Sequence, residues 1–222
     1  MPSTIQFPGL YPDRTQSPPA LPRRFTRLRA GVREALGVGA LVVAAMLPFL
    51  ASPHPGAKPA ACVTPVNLGG RLHVTLNCDS HLFLLLAEDP RRMLTEEYRT
   101  WQSRPLYGAL GWTLAMPFRA AGLEQVGERR LPPTIWASPR GGRPATRLLP
   151  WYGGFILLNA LLLAGAVMLF RRLAGARSYR DAAILLPVPV LLANELTRAF
   201  FWTPHLQMFN VFVPVLSLWL FC

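Results

Sequence analysis

The sequence predicts an all-α integral membrane protein with about four transmembrane helices and a small external α+β domain between the first and second spans. Three observations carry this. Apolar residues make up 51% of the 222 and charged residues only 15%, against about 25% charged in ordinary soluble domains. The apolar residues gather into long runs rather than alternating with polar ones, as membrane-crossing helices require. The formal charge of +12, carried almost wholly by arginine, is expelled from those runs into the segments between them. Such a chain is too apolar for disorder. The concentration of its apolar residues argues against a soluble nucleic-acid binder, so no nucleic-acid partner is expected.

The charge map orders the chain. Residues 1–34 hold six arginines, among them Arg23, Arg24, Arg27 and Arg29, against Asp13 and Glu34. Six prolines precede position 23. Proline fixes φ and removes a backbone donor, so this tail should be extended or polyproline-like, ordered only where a partner holds it. Residues 35–52, ALGVGALVVAAMLPFLAS, carry no charge and are near the lower limit for a span. A cleaved signal peptide would also have a basic front and small residues at its end; the thirty-residue front favours an uncleaved span. Ala40 and Ala44, one turn apart, allow close approach of another helix. Residues 148–170 form the strongest span, with Trp151 and Tyr152 at one end and Arg171 and Arg172 closing the other. Residues 182–201 read as a third span despite Pro187 and Pro189, and 206–222 as a short or half-inserted fourth, or as a truncated one.

Basic residues in short flanking segments face the cytoplasm. The tail and the 171–181 loop are therefore expected inside a bacterial cytoplasmic membrane. Residues 53–147 and the Thr203-Pro204-His205 turn then lie outside. The run 105–118, PLYGALGWTLAMPF, is too short to cross and reads as an interfacial or buried helix. Were it to span, the 171–181 arginines would face outward.

The external segment opens on CVTPVNLGGRLHVTLNC, two β-leaning runs around Gly69-Gly70, which reads as a hairpin. A two-residue turn pairing 68 with 71 leaves Cys62 and Cys78 one position out of register, and a bulge near Pro65 would align them. A Cys62–Cys78 disulfide is expected outside the cell, with unpaired thiols as the alternative. Cys222 is left over at the membrane. Asp79 is placed to cap a short helix through Glu88, and Asp89-Pro90 to start a second one containing Glu96 and Glu97.

The strings CDSHLFLLLAEDP and QSRPLYGALGWTLA, within about residues 78–118, resemble the first outer loop of polytopic membrane glycosyltransferases that use polyprenyl-phosphate sugar donors. The resemblance implies a catalytic acidic residue soon after the first span. Asp79 matches that position, and Arg104 and Tyr107 match the string leading into the next helix. Under that reading these three residues would serve catalysis.

Other polar residues sit where charge or hydrogen bonding is costly. Glu195 and Arg198, three apart within an apolar run, read as a mutual pair or as a contact to another subunit, lipid or cofactor. Asn159, mid-span, should hydrogen-bond to another helix. His73, His81 and His205 lack ligand spacing, so no metal and no cofactor are expected. With few spans and no dense catalytic set, the leading expectation is a non-catalytic subunit of a larger bacterial membrane complex, respiratory or photosynthetic among the plausible hosts. Its partners would be other membrane subunits and anionic lipids, the latter met by Arg23, Arg24, Arg27, Arg29, Arg171 and Arg172. The glycosyltransferase-like enzyme is the alternative.

Overall fold

A computed structural model describes residues 23–50, 64–69, 72–76, 78–91, 105–130, 135–136 and 143–222, some of them through their backbone alone. The chain divides into residues 1–34 and 35–222; the packing described below belongs to the second unit.

The described residues are mostly helical. Helix α1 runs from Arg23 to Leu50, so the helix begins twelve residues before the expected span and takes in Arg23, Arg24, Arg27 and Arg29. Extended structure expected over residues 1–30 is corrected for 23–30; residues 1–22 lie outside the described residues. The reason is local: Pro22 is the last proline before Pro48, and arginine is a good helix former. Within α1, Arg29–Leu50 is long and apolar enough to cross a membrane, and so is Leu148–Leu173 within α5 (Ala145–Leu173).

Strands β1 (Thr64–Gly69) and β2 (Leu72–Leu76) form an antiparallel hairpin. Gly69 pairs with Leu72, and the register shifts between Asn67 and Gly69. The expected pairing of 68 with 71 and bulge at Pro65 are thus corrected: the extra residue is Leu68, and Pro65 sits in register with Thr75. An irregularity beside the turn meets the left-over twist of a two-residue connection without breaking the ladder farther out. Helix α2 (Cys78–Glu88) follows. It starts two residues earlier than expected, which puts Asp79 inside the first turn rather than ahead of it as a cap. Pro90 and Arg91 begin a short 3₁₀ turn; Glu96 and Glu97 lie outside the described residues.

Helix α3 (Pro105–Ala120) is the apolar run 105–118, now with its ends defined, and α4 (Leu123–Arg130) is its charged continuation. Two-residue strands β3 (Ile135–Trp136) and β4 (Arg143–Pro144) pair just before α5. Helix α5 ends in a Schellman arrangement: Ala176 N–H reaches Arg171 O, Gly175 N–H reaches Arg172 O, and Gly175 takes φ +62°. Glycine adopts that left-handed conformation without a Cβ clash.

The expected third span, 182–201, is corrected to three short helices: α6 (Ala182–Leu185), α7 (Pro187–Ala193) and α8 (Glu195–Phe200). Proline cannot donate to the carbonyl four residues back, so the ladder breaks at Pro187. Asn194 leaves helical geometry at ψ 139° and its side chain accepts from Leu196 N–H, capping α8. Helix α9 (Gln207–Phe221) closes the chain as one fifteen-residue helix.

Helix α5 is the spine. Tyr107 meets Asn159, Gly111 lies against Phe155 and Gly154, and Phe118 lies beside Gly153, so α3 runs antiparallel along the first half of α5. The approach is backbone to backbone: a Cβ on Gly154 would stand 2.6 Å from Gly111 O, and one on Gly111 would fall within the Phe155 ring. Small residues permit this closeness. Phe83 of α2 completes the layer, its ring centroid 4.8 Å from that of Tyr107 and 5.9 Å from that of Phe155. Along the second half of α5, Phe212 of α9 lies against Gly165, and α9 runs parallel to it. Val38, Val42 and Met46, one stripe of α1 at helical spacing, join the same core.

Candidate functional site

The polar residues converge where the chain is not helical. Between α8 and α9, residues 201–206 turn against the middle of α5, with Thr203 5% exposed and Pro204 buried. Backbone groups in a buried turn need partners, and Asn159 supplies them. Its Nδ2 donates to Phe201 O and Thr203 O at 3.0 Å each and to Phe200 O at 3.3 Å. Its Oδ1 accepts from the Tyr107 hydroxyl at 3.2 Å, and the same hydroxyl meets the His205 backbone. Asn159 is fully buried and Tyr107 is 1% exposed.

Two further bonds pin the turn. Tyr152 donates its hydroxyl to Trp202 O at 2.6 Å, and Trp202 Nε1 donates to Met46 O on α1 at 2.8 Å. Trp151 and Tyr152 were expected as interface aromatics at one end of a span; the structure packs them into the protein. Trp151 instead is 4% exposed, with the Arg119 guanidinium 5.0 Å from its ring centroid, a stacking that favours both groups. The Thr203-Pro204-His205 turn, expected as an outer loop, is buried against α5.

At the edge of this cluster His205 faces Asp79. His205 Nε2 lies 3.2 Å from Asp79 Oδ2, with the side chains 13% and 39% exposed. His205 Nδ1 accepts from Gln207 N–H at 3.3 Å. That bond assigns the neutral Nε2–H tautomer, whose proton is donated to the carboxylate. The Phe200 ring lies 4.5 Å from the imidazole, centroid to centroid. The contact uses one carboxylate oxygen of Asp79. A helix-start carboxylate tied to a histidine is a structural link between α2 and the 201–206 turn.

The structure thus joins three of the residues singled out from sequence, Asp79, Tyr107 and Asn159, through the 201–206 turn. Cys62 and Arg104 lie outside the described residues, and for Cys78, His73 and His81 only the backbone is described. Glu195 and Arg198 are both exposed and do not pair. Arg198 lies over Phe49, 4.5 Å from its ring centroid, because the cap at Asn194 turns α8 toward the end of α1. Arg29 is exposed on α1; Arg171 donates to Arg177 O and stacks 4.9 Å from Tyr179, while Arg172 is exposed. Among the described residues no three His, Cys, Asp or Glu side chains converge. Sequence reading missed Tyr152, Trp202 and the role of His205. The signal available was the polar break at 202–207 opposite a lone mid-span asparagine, two anomalies that answer each other. Comparison with protein-family models, curated proteins and solved structures finds no match for this chain.

Proposed function

We propose that this chain is a non-catalytic structural subunit of a larger assembly in a bacterial cytoplasmic membrane. The observation that carries the proposal is the state of α1. Only 17% of its apolar window is buried by the rest of the chain. Leu36, Leu41 and Leu47 stand 69%, 70% and 51% exposed, and nothing lies within 4 Å of a Cβ built on Gly37 or Gly39. A span of small residues packed on one narrow stripe offers its remaining face to neighbouring helices. The Asn159 cluster supports the non-catalytic part, since Asn159, Tyr107, Tyr152 and Trp202 spend their polar groups on backbone or on one another.

In this reading α1 and α5 cross the bilayer, the α6–α8 segment and α9 enter it as two further, shorter elements, and the 53–147 segment belongs to the external side without crossing, its α2 and α3 packed on the outer half of α5. Arginines of the tail and of residues 171–181 face the cytoplasm, where anionic headgroups and partner carboxylates attract them. Extraction in mild detergent followed by mass measurement tests this. Stoichiometric companions are expected; a lone monodisperse monomer would sink the reading.

The Asp79–His205 contact favours a second reading, a glycosyltransferase-like enzyme using a polyprenyl-linked sugar donor. Asp79 would be its acid–base group, with Arg104 and Tyr107 nearby in sequence. Sugar transfer by the native chain that is lost in Asp79→Asn would support it, and absence of transfer by the native chain would end it.

A further inference from the structure

Helix α3 was expected to be interfacial or buried. Its placement against α5 assigns it a more specific environment. The two helices change character at the same level. On α5, Trp151 and Tyr152 mark the start of the uncharged run that ends at Arg171. On α3 the matching level is Arg119, stacked on Trp151; beyond it lie the charged residues of α4. From Arg119 back to Pro105 the helix carries no charge. Tyr107 meets Asn159, eight residues past Trp151 along α5, which is about 12 Å at the helical rise.

Over that length the outward face of α3 is apolar, with Leu106 60% and Trp112 37% exposed and Ala109 between them. Its two side-chain hydroxyls are both satisfied within the protein: Tyr107 turns inward to Asn159, and the exposed Thr113 donates to Ala109 O at 2.9 Å. An exposed threonine in water has no need of such a bond, whereas one in hydrocarbon does.

We infer that α3 is a half-inserted helix whose Leu106–Ala109–Trp112 face contacts the acyl chains of the outer leaflet, anchored at the headgroup level by the exposed Arg119, which the buried Trp151 holds in place. It enters without crossing, so the sidedness of every later segment is unchanged. The inference rests on α5 spanning the bilayer, and the experiment separates the two. A photoreactive phenylalanine analogue is placed at 106 or at 109, both outward, with 157 and 161, exposed on α5, as references. The full chain is reconstituted in phosphatidylcholine vesicles, irradiated, and its adducts are resolved by mass. Phospholipid adducts from 106 or 109 as well as from 157 or 161 are expected. Adducts from the α5 positions alone overturn the insertion of α3. Cross-links from 106 and 109 to a second protein chain in place of lipid overturn the acyl-chain assignment. Loss of lipid adducts at 157 and 161 as well overturns the membrane reading itself. Two sites on each helix keep the test alive if one substitution prevents folding.

Discussion

The two long helices look alike in composition and differ in situation. Both Arg29–Leu50 and Leu148–Leu173 are long and apolar enough to cross a membrane, yet 56% of the second window is buried in the protein against 17% of the first. Every other layer is built on α5: α3 and α2 on its first half, α9 on its second, and the 201–206 turn at Asn159 between them. Helix α1 lies against this body through Val38, Val42 and Met46 and through the Trp202 bond to Met46 O. Apolar length therefore fixes which segments can leave water, and says nothing about which will organise the others. Small residues illustrate the point. Gly154 on α5 faces the backbone of α3, and Gly153 and Gly165 face phenylalanine rings, while the glycines on α1 face open space, so the same residue type is a contact in one helix and a vacancy in the other.

Substitutions at matched positions sharpen that contrast. The largest effect is expected from Gly154→Leu, whose side chain must displace α3; overpacking of this kind costs on the order of 3 kcal/mol. The thermal midpoint in detergent should fall steeply, whereas Gly37→Leu on α1 should leave it nearly unchanged. Equal effects at both positions would erase the distinction between the helices. Asn159→Leu comes next. It strands three carbonyls and the Tyr107 hydroxyl in a buried site, at about 1–3 kcal/mol for an unsatisfied group, and amide exchange at residues 200–206 should accelerate. Tyr107→Phe removes one bond of that set and should cost roughly 0.6 kcal/mol, the usual size of a hydrogen bond between membrane helices. Trp202→Phe tests the α1 attachment specifically. A loss of about 1 kcal/mol with faster exchange confined to α1 near Met46 is the expected pattern, and spread of the effect to α5 would contradict it.

A smaller effect on the folded body is expected in the hairpin. Its ladder sets Thr64 against Leu76, and Cys78 opens α2 just beyond it. A Cys62–Cys78 disulfide should appear as a two-hydrogen mass difference on reduction under denaturing conditions. Its closure of a short loop would contribute about 3 kcal/mol in the loop-entropy picture, to the hairpin and with little consequence for α5.

Particular residues show how far the sequence could be read. The α5 helix was legible because twenty-three uncharged residues between aromatic and arginine flanks make one long apolar helix. The hairpin was legible from its double glycine, though not its register, since moving an irregularity from Pro65 to Leu68 alters no residue's β preference. The run 182–201 misled. Its apolar average concealed that Pro187 and Asn194 each interrupt the hydrogen-bond ladder, and an average has no memory of position. Asn159 was recognisable as a side chain in need of partners; that the partners are carbonyls about forty residues on was not. Asp79 was singled out with a different local role, because a cap is decided by a shift of two residues in helix start while its contact with His205 joins segments 126 positions apart.

What the sequence determined by itself is the partition of the chain: which stretches are apolar, where arginine collects, and where a double glycine turns a hairpin. These follow from side-chain transfer free energies and backbone sterics, which act residue by residue. Only the tertiary structure decided that α5 is the spine, that α3 lies along its first half, and that Tyr107, Asn159, Tyr152 and Trp202 close one polar cluster around a buried turn. Those outcomes depend on backbones approaching at Gly111 and Gly154 and on carbonyls left over by a broken helix, and neither quantity exists until distant segments have met.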